Sequence, residues 1–279
     1  MTEPACKLCR QPFASSPHIL SFCLWVINKE KSECNRVEDR YTWRHNCILL
    51  QLAEAIKGKL AGINKLPEST HRPRALPERA MNPVCFVRAA HATGATEPHN
   101  NAAADGASGD IVSAKSTNKE DPKGLLHLAR DWLADFDLPE LHASEEQPYF
   151  FPPEVAATTS RIDCYIISRK KRICIGLELT AGLEENFEQR HQRKLKRYQE
   201  DLVPGLNPRW RFYLIVVEVG CRGFLPTTLA CGLFKLGFTK AKVSRVEDRC
   251  AHIARQCSYL IWTYRHSRSF QPPRLSANL

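Results

Sequence analysis

Apolar positions along the 279 residues fall into two blocks, separated by a stretch that carries few of them. In the first block Ile48, Leu49, Leu52 and Ile56 recur at the three- and four-residue spacing of one helix face. Asn46 precedes them, and its short amide side chain can accept a free backbone N–H. The pattern therefore predicts an amphipathic helix over 47–60 with Asn46 as its N-cap. In the second block the period changes. Short apolar runs at 162–167 and 173–179 predict two strands, 183–202 has helical spacing, and 211–219 reads as a third, buried strand. Leu125, Leu128, Trp132, Leu133 and Phe136 ahead of them fit a helix or a helix leading into a strand, and 243–264 reads as a closing helix. The order strand, strand, helix, strand predicts an α/β domain: a small mixed β-sheet flanked by helices.

Between the blocks, Phe86 is the only aromatic residue from Asn64 to Pro122, and six prolines interrupt any period. Such a segment buries too little apolar surface to offset its ordering entropy, so 63–122 is expected to be a disordered or poorly packed linker. The chain then divides into 1–62, 63–122 and 123–270.

Charge narrows the function classes. Forty Lys and Arg against thirty Asp and Glu give a net +10, which favours a polyanion, DNA first and RNA second, over a small-molecule substrate. Nine of the cations lie between Lys235 and Arg274, against only Glu247 and Asp248. They make either a solvated helix face or a contact with nucleic-acid backbone. No apolar run approaches the ~20 residues a membrane span needs. Without a basic-then-apolar leader, the twelve Cys point to an intracellular protein with some thiols as metal ligands.

Four of those candidate ligands, Cys6, Cys9, His18 and Cys23, are spaced C-x2-C-x8-H-x4-C. Three thiolates and an imidazole complete a closed tetrahedral shell, which makes a bound Zn2+ structural rather than catalytic. So short a segment has little apolar core, and metal binding would also supply its folding energy. The other eight Cys read as core residues or free thiols.

A second constellation is Asp163 and Glu178, on either side of the basic turn-like stretch 168–172. If the two strands form a hairpin centred between Lys170 and Lys171, the two acids face each other with Cβ atoms ~5 Å apart. Opposed carboxylates repel unless a cation joins them, and two hard oxygen ligands suit a Mg2+ ion that also keeps waters and a phosphate oxygen. The arrangement fits metal-assisted phosphodiester hydrolysis. Solvated strand ends, or neutralisation by Arg161, Arg169 and Arg172, would explain the same acids. In the helix that follows, Lys194 falls on the stripe of Leu183, Phe187, Leu195, Tyr198 and Leu202, whereas Lys196 lies on the polar side with Arg193 and Arg197. A lysine on an inward stripe either meets carboxylates or snorkels to water.

Taken together, these motifs resemble the C-terminal tail of site-specific non-LTR retrotransposon polyproteins. Those tails carry a zinc knuckle, an Arg-His-Asn motif and a restriction-like endonuclease of the PD-(D/E)xK class. The knuckle corresponds to Cys6, Cys9, His18 and Cys23, the second motif to Arg44, His45 and Asn46, and the nuclease acids to Asp163 and Glu178. The segments Asp131-Trp132, Glu178-Leu179-Thr180, Glu184-Glu185-Asn186, Lys194 with Tyr198, and 217–224 are similar to further pieces of such tails. The resemblance covers 6–60 and 123–266. It implies a nuclear, Mg2+-dependent DNA endonuclease with Asp163, Glu178, Lys194 and Tyr198 at its centre. Arg44, His45, Asn46, Arg193, Arg197 and Arg222 would then be the contacts to nucleic acid. Ile162 stands where the family has proline. Thr180 stands at the usual lysine position, so the lysine is expected on the helix, as Lys194. The long interruption before the nuclease block leaves a second reading open, a catalytically inactive, zinc-containing nucleic-acid-binding remnant. Glu218 is either a supporting carboxylate or a salt-bridge partner of Arg222, and Asn46 is either a helix cap or part of the site.

Overall fold

The computed structural model describes residues 5–12, 14–27, 40–67, 84–86, 124–138, 149–268 and 270, with 25 and 84–86 as backbone only. Five strands, β1 (Val84–Phe86), β2 (Leu133–Phe136), β3 (Cys164–Ser168), β4 (Ile173–Gly182) and β5 (Arg211–Gly220), form one sheet in the order β1-β5-β4-β3-β2. β1, β5 and β4 run parallel, while β3 is antiparallel to β4 and β2 antiparallel to β3, so the sheet is small and mixed. After the short helix α1 (Leu24–Ile27), the long helices are α2 (Arg40–Asn64), α3 (Phe187–Asp201), α4 (Thr227–Leu236) and α5 (Lys240–Thr263).

The period of two along β4 and β5 sorts the helices onto the two faces. Ile173, Ile175, Leu177, Leu179, Ile215, Val217 and Val219 belong to the core shared with α2, α4 and α5. Cys174, Phe212, Leu214 and Val216 look the other way, into a smaller cluster with Tyr198 and Leu202 of the α3 region. Gly176 fits this second face because an added Cβ would lie 2.9 Å from the Phe212 ring. Since α3 buries only His191 and Tyr198, it meets the sheet largely through polar groups. Those groups make the candidate site.

Three expectations change. The first helix begins no later than Arg40 rather than after Asn46, because Arg40, Trp43 and Arg44 are buried and extend its inward face by two turns. Asn46 therefore lies inside a helix and is not an N-cap; its Oδ1 is 3.2 Å from His45 Nδ1. Second, the 1–62 block is not packed by itself: α2 shares one apolar core with the sheet and α5. Third, Val84–Phe86, within the expected linker, adds a parallel edge strand to β5; most of 63–122 lies outside the described residues. The 125–136 segment resolves into a 3₁₀ turn, Leu125–Leu128, followed by β2, and a 3₁₀ turn, Glu184–Asn186, precedes α3.

Candidate functional site

Pairing of β3 with β4 fixes the two acids. Cys164 lies opposite Leu177 and Ser168 opposite Ile173, so the hairpin centre falls between Lys170 and Lys171. The next facing pair beyond the ladder is Asp163 and Glu178. Asp131 closes the turn, accepting from Ser168 Oγ (2.7 Å) and the Lys170 N–H (3.0 Å). The carboxylates bond reciprocally across the strands: Leu179 N–H donates to Asp163 Oδ2 (2.6 Å), and Asp163 N–H to Glu178 Oε2 (3.3 Å).

Three elements converge on this pair. From α3, Lys194 Nζ reaches Glu178 Oε1 at 2.8 Å and the Leu179 carbonyl oxygen at 2.5 Å. One turn on, Tyr198 donates its hydroxyl to Glu178 Oε2 (2.6 Å). Its Oη also lies 3.1 Å from the Arg161 carbonyl oxygen. Arg197, expected on the polar side, curls back to Glu178 Oε1 (3.3 Å) and to the Tyr198 hydroxyl. From α2, His45 Nε2 stands 3.3 Å from Asp163 Oδ2. Asp163, Glu178, Lys194 and Tyr198 are thus brought together, while Lys196 stays outside and pairs with Glu200.

The electrostatics are asymmetric. Burial pushes the Asp163 carboxyl up, but His45, Lys194 and the Leu179 N–H outweigh it and hold it below its ordinary value. Glu178 moves the other way: burial and the adjacent Asp163 charge raise it, with Lys194 and Tyr198 only partly compensating. Burial works against the His45 imidazolium, yet Asp163 raises its pKa overall. Burial and Glu178 together raise the Tyr198 phenol. Two carboxyls with divergent titration in one cluster mark a place where added positive charge would be favourable. Beside Asp163 opens a cleft of about 530 Å³ lined by Tyr41, Thr42, His45, Asn46, Asp137 and Arg161.

Other expected contacts are redistributed. Arg44 is about 1% exposed; its guanidinium bonds to Ser258 Oγ (3.2 Å) and the Ala181 carbonyl (3.4 Å), so it braces the core and does not face solvent. Arg222 is held by Glu184 and Glu185 at 2.8 and 2.7 Å. Glu218 does not pair with it; it meets His191 of α3 at 2.6 Å. His191 went unnoticed in the sequence, although its place three residues before Lys194 on the same stripe was a readable signal. Arg193 is exposed.

At the amino end, the ligand atoms of Cys6, Cys9, His18 and Cys23 all lie within 4.8 Å of one another, the one such cluster among the described residues, and can hold a metal such as zinc. The π-helical turn His18–Phe22 begins with one ligand, His18, and is capped by another, Cys23. Cys6 and Cys23 sulfurs are 3.9 Å apart, and Cys9 Sγ is 3.2 Å from His18 Nε2. Burial opposes the Cys6 thiolate, but backbone bonds at Cys9 and Leu8 bring its pKa below the usual value. Burial also lowers that of His18. Both shifts favour the deprotonated forms a metal takes. The described cysteines are all free thiols, and among the described residues no helix is long and apolar enough to cross a membrane. No protein family model, curated protein or solved structure compared with this chain matches it.

Proposed function

We propose that this protein is a metal-dependent DNA endonuclease of the restriction-like class, with a structural zinc in the Cys6, Cys9, His18, Cys23 cluster. The observation that carries the reading is the reciprocal pair of half-buried Asp163 and buried Glu178, with a lysine on one carboxylate and a histidine on the other. Their carboxylate oxygens and the Leu179 carbonyl are hard donors suited to Mg2+. When bound there, such an ion lowers the pKa of a water and offsets charge on the phosphate. Asp163, held ionised near neutral pH, supplies a permanent negative ligand. Glu178, raised by burial and by Asp163, gains most from an added cation. Lys194 can then turn from Glu178 towards the attacking water or the phosphate charge. Tyr198 and Arg197 fix the Glu178 carboxylate, and His45 orients Asp163. The 530 Å³ cleft beside Asp163 gives the scissile strand a path of approach.

Plasmid nicking by a panel of variants at equal protein concentration tests the reading. Wild type should nick with Mg2+ or Mn2+ but not with Ca2+, whose longer bonds and looser geometry fit the site poorly. Asp163→Ala, Glu178→Ala and Lys194→Ala should each abolish cleavage while sparing DNA affinity, and Lys196→Ala should cleave nearly normally. Absence of metal-dependent nicking by wild type, or its survival in the acid variants, would replace the enzyme with a nucleic-acid-binding remnant.

A further inference from the structure

Away from the carboxylates, α2 and α5 enclose a groove of about 270 Å³. Its floor includes Phe238 and Val246, both buried. Lys242, Arg245 and Arg249 rise along one side, exposed, and none forms an ion pair among the described residues. Glu54 is the only acid that lines it. The three cations sit at i, i+3 and i+7 of α5, on one helical face. At 1.5 Å per residue they span about 10.5 Å, the axial length over which one strand of duplex DNA passes about three phosphates.

We infer that the groove between α2 and α5 is a seat for the phosphate backbone of duplex DNA, separate from the cleft at Asp163. An acidic peptide could satisfy the same charges, but the chain's net +10 and a row of three cations on one helical face, over about 10.5 Å, fit a regular polyanion better. The seat rests on the DNA-binding part of the proposed function and is independent of cleavage.

The groove contains its own probe position. Gly58, exposed on the α2 wall, has nothing within 4 Å of where a Cβ would stand. Alanine, glutamate and lysine all have better helix propensity than glycine, so Gly58→Ala, Gly58→Glu and Gly58→Lys should all fold. Duplex DNA binding is measured with these three proteins in Ca2+ without Mg2+ or Mn2+, where cleavage does not enter and the zinc is kept, across a salt series. Affinity should rank Lys above Ala above Glu. A Lys242→Ala/Arg245→Ala/Arg249→Ala variant should have a shallower salt dependence by about 2.7 in logarithmic slope, so that between 50 and 200 mM salt wild type loses about 40-fold more affinity than the variant does. Lys196→Ala/Arg209→Ala/Arg211→Ala, matched in charge but outside the groove, should shift it much less.

If wild type binds DNA with a steep salt dependence but the Gly58 series is flat and the two triple variants are alike, the groove assignment is overturned while the nuclease reading stands. If the series instead tracks polyglutamate and not DNA, an acidic protein replaces the phosphate backbone. If wild type binds no DNA at all, both readings fall.

Discussion

The His191–Glu218 pair offers the sharpest stability prediction. Nδ1 and Oε1 are 2.6 Å apart, the side chains are 7% and 2% exposed, and Glu218 Oε2 has no hydrogen-bond partner among the described residues. In His191→Ala the carboxylate keeps neither its cation nor a route to water. Removing one partner of such a buried pair costs about 3–5 kcal/mol. For a domain of this size that is a fall of roughly 6–20 °C in Tm. A His191→Leu/Glu218→Leu double variant should recover most of the loss, because no charge is then stranded. The pH dependence has a definite sign. The Glu218 hydrogen bond raises the His191 pKa; burial and Lys194 oppose this, and Glu188 adds to it. A pair of this kind contributes its stability in full below the ordinary imidazole value of 6.5 and loses it as pH rises through the higher folded value. Urea unfolding of wild type and His191→Ala at a series of pH values should therefore show the gap shrinking from pH 6 upward. A gap that is flat or widens with pH, or a His191→Ala protein within ~1 kcal/mol of wild type at pH 6, would refute the reasoning.

Two further outcomes are expected. The purified full-length protein should carry one zinc per chain by elemental analysis; Cys9→Ser should lose it, and a chelator should lower Tm, whereas a metal-free protein of unchanged Tm would refute the zinc assignment. Tyr198→Phe removes a hydroxyl from a buried carboxylate, so urea unfolding should register a loss of about 1.5–3 kcal/mol, and a change below ~0.5 kcal/mol would show that the Glu178 contact adds nothing.

Much of the carboxylate site was legible because hairpin register follows from arithmetic. The apolar runs flanking a basic turn fix a centre between Lys170 and Lys171, and that centre alone pairs Asp163 with Glu178. Lys194 was legible because a charged residue on an inward stripe needs a partner. The start of α2 was not. Arg40 and Arg44 are charged but buried, so the periodic signal broke off two turns early and Asn46 looked like a cap. Arg44 is held through its terminal nitrogens by Ser258 and Ala181, positions 137 and more residues away, and nothing local announces such partners. His191 could be read from its stripe, but its partner Glu218 could not, because it arrives from β5, 27 residues on. β1 escaped notice because three residues joining an existing edge carry no period of their own, and the run that forms α4 was not singled out.

Tyr41 and His45 stand one helical turn apart near the start of α2. The Tyr41 hydroxyl accepts the Cys23 N–H at 3.2 Å and donates to the Ile19 carbonyl at 2.9 Å, gripping the thiol cluster, while His45 touches Asp163. A single turn of helix thus serves as a shared hinge pin between the thiol cluster and the carboxylate pair proposed to take Mg2+. By linkage, an ion that favours the ordered form of one centre lowers the cost of ordering the other, and the effect must run equally in both directions. On the proposed function, stripping the thiol cluster should weaken Mg2+ binding at Asp163 and Glu178 by the same factor by which Mg2+ tightens zinc.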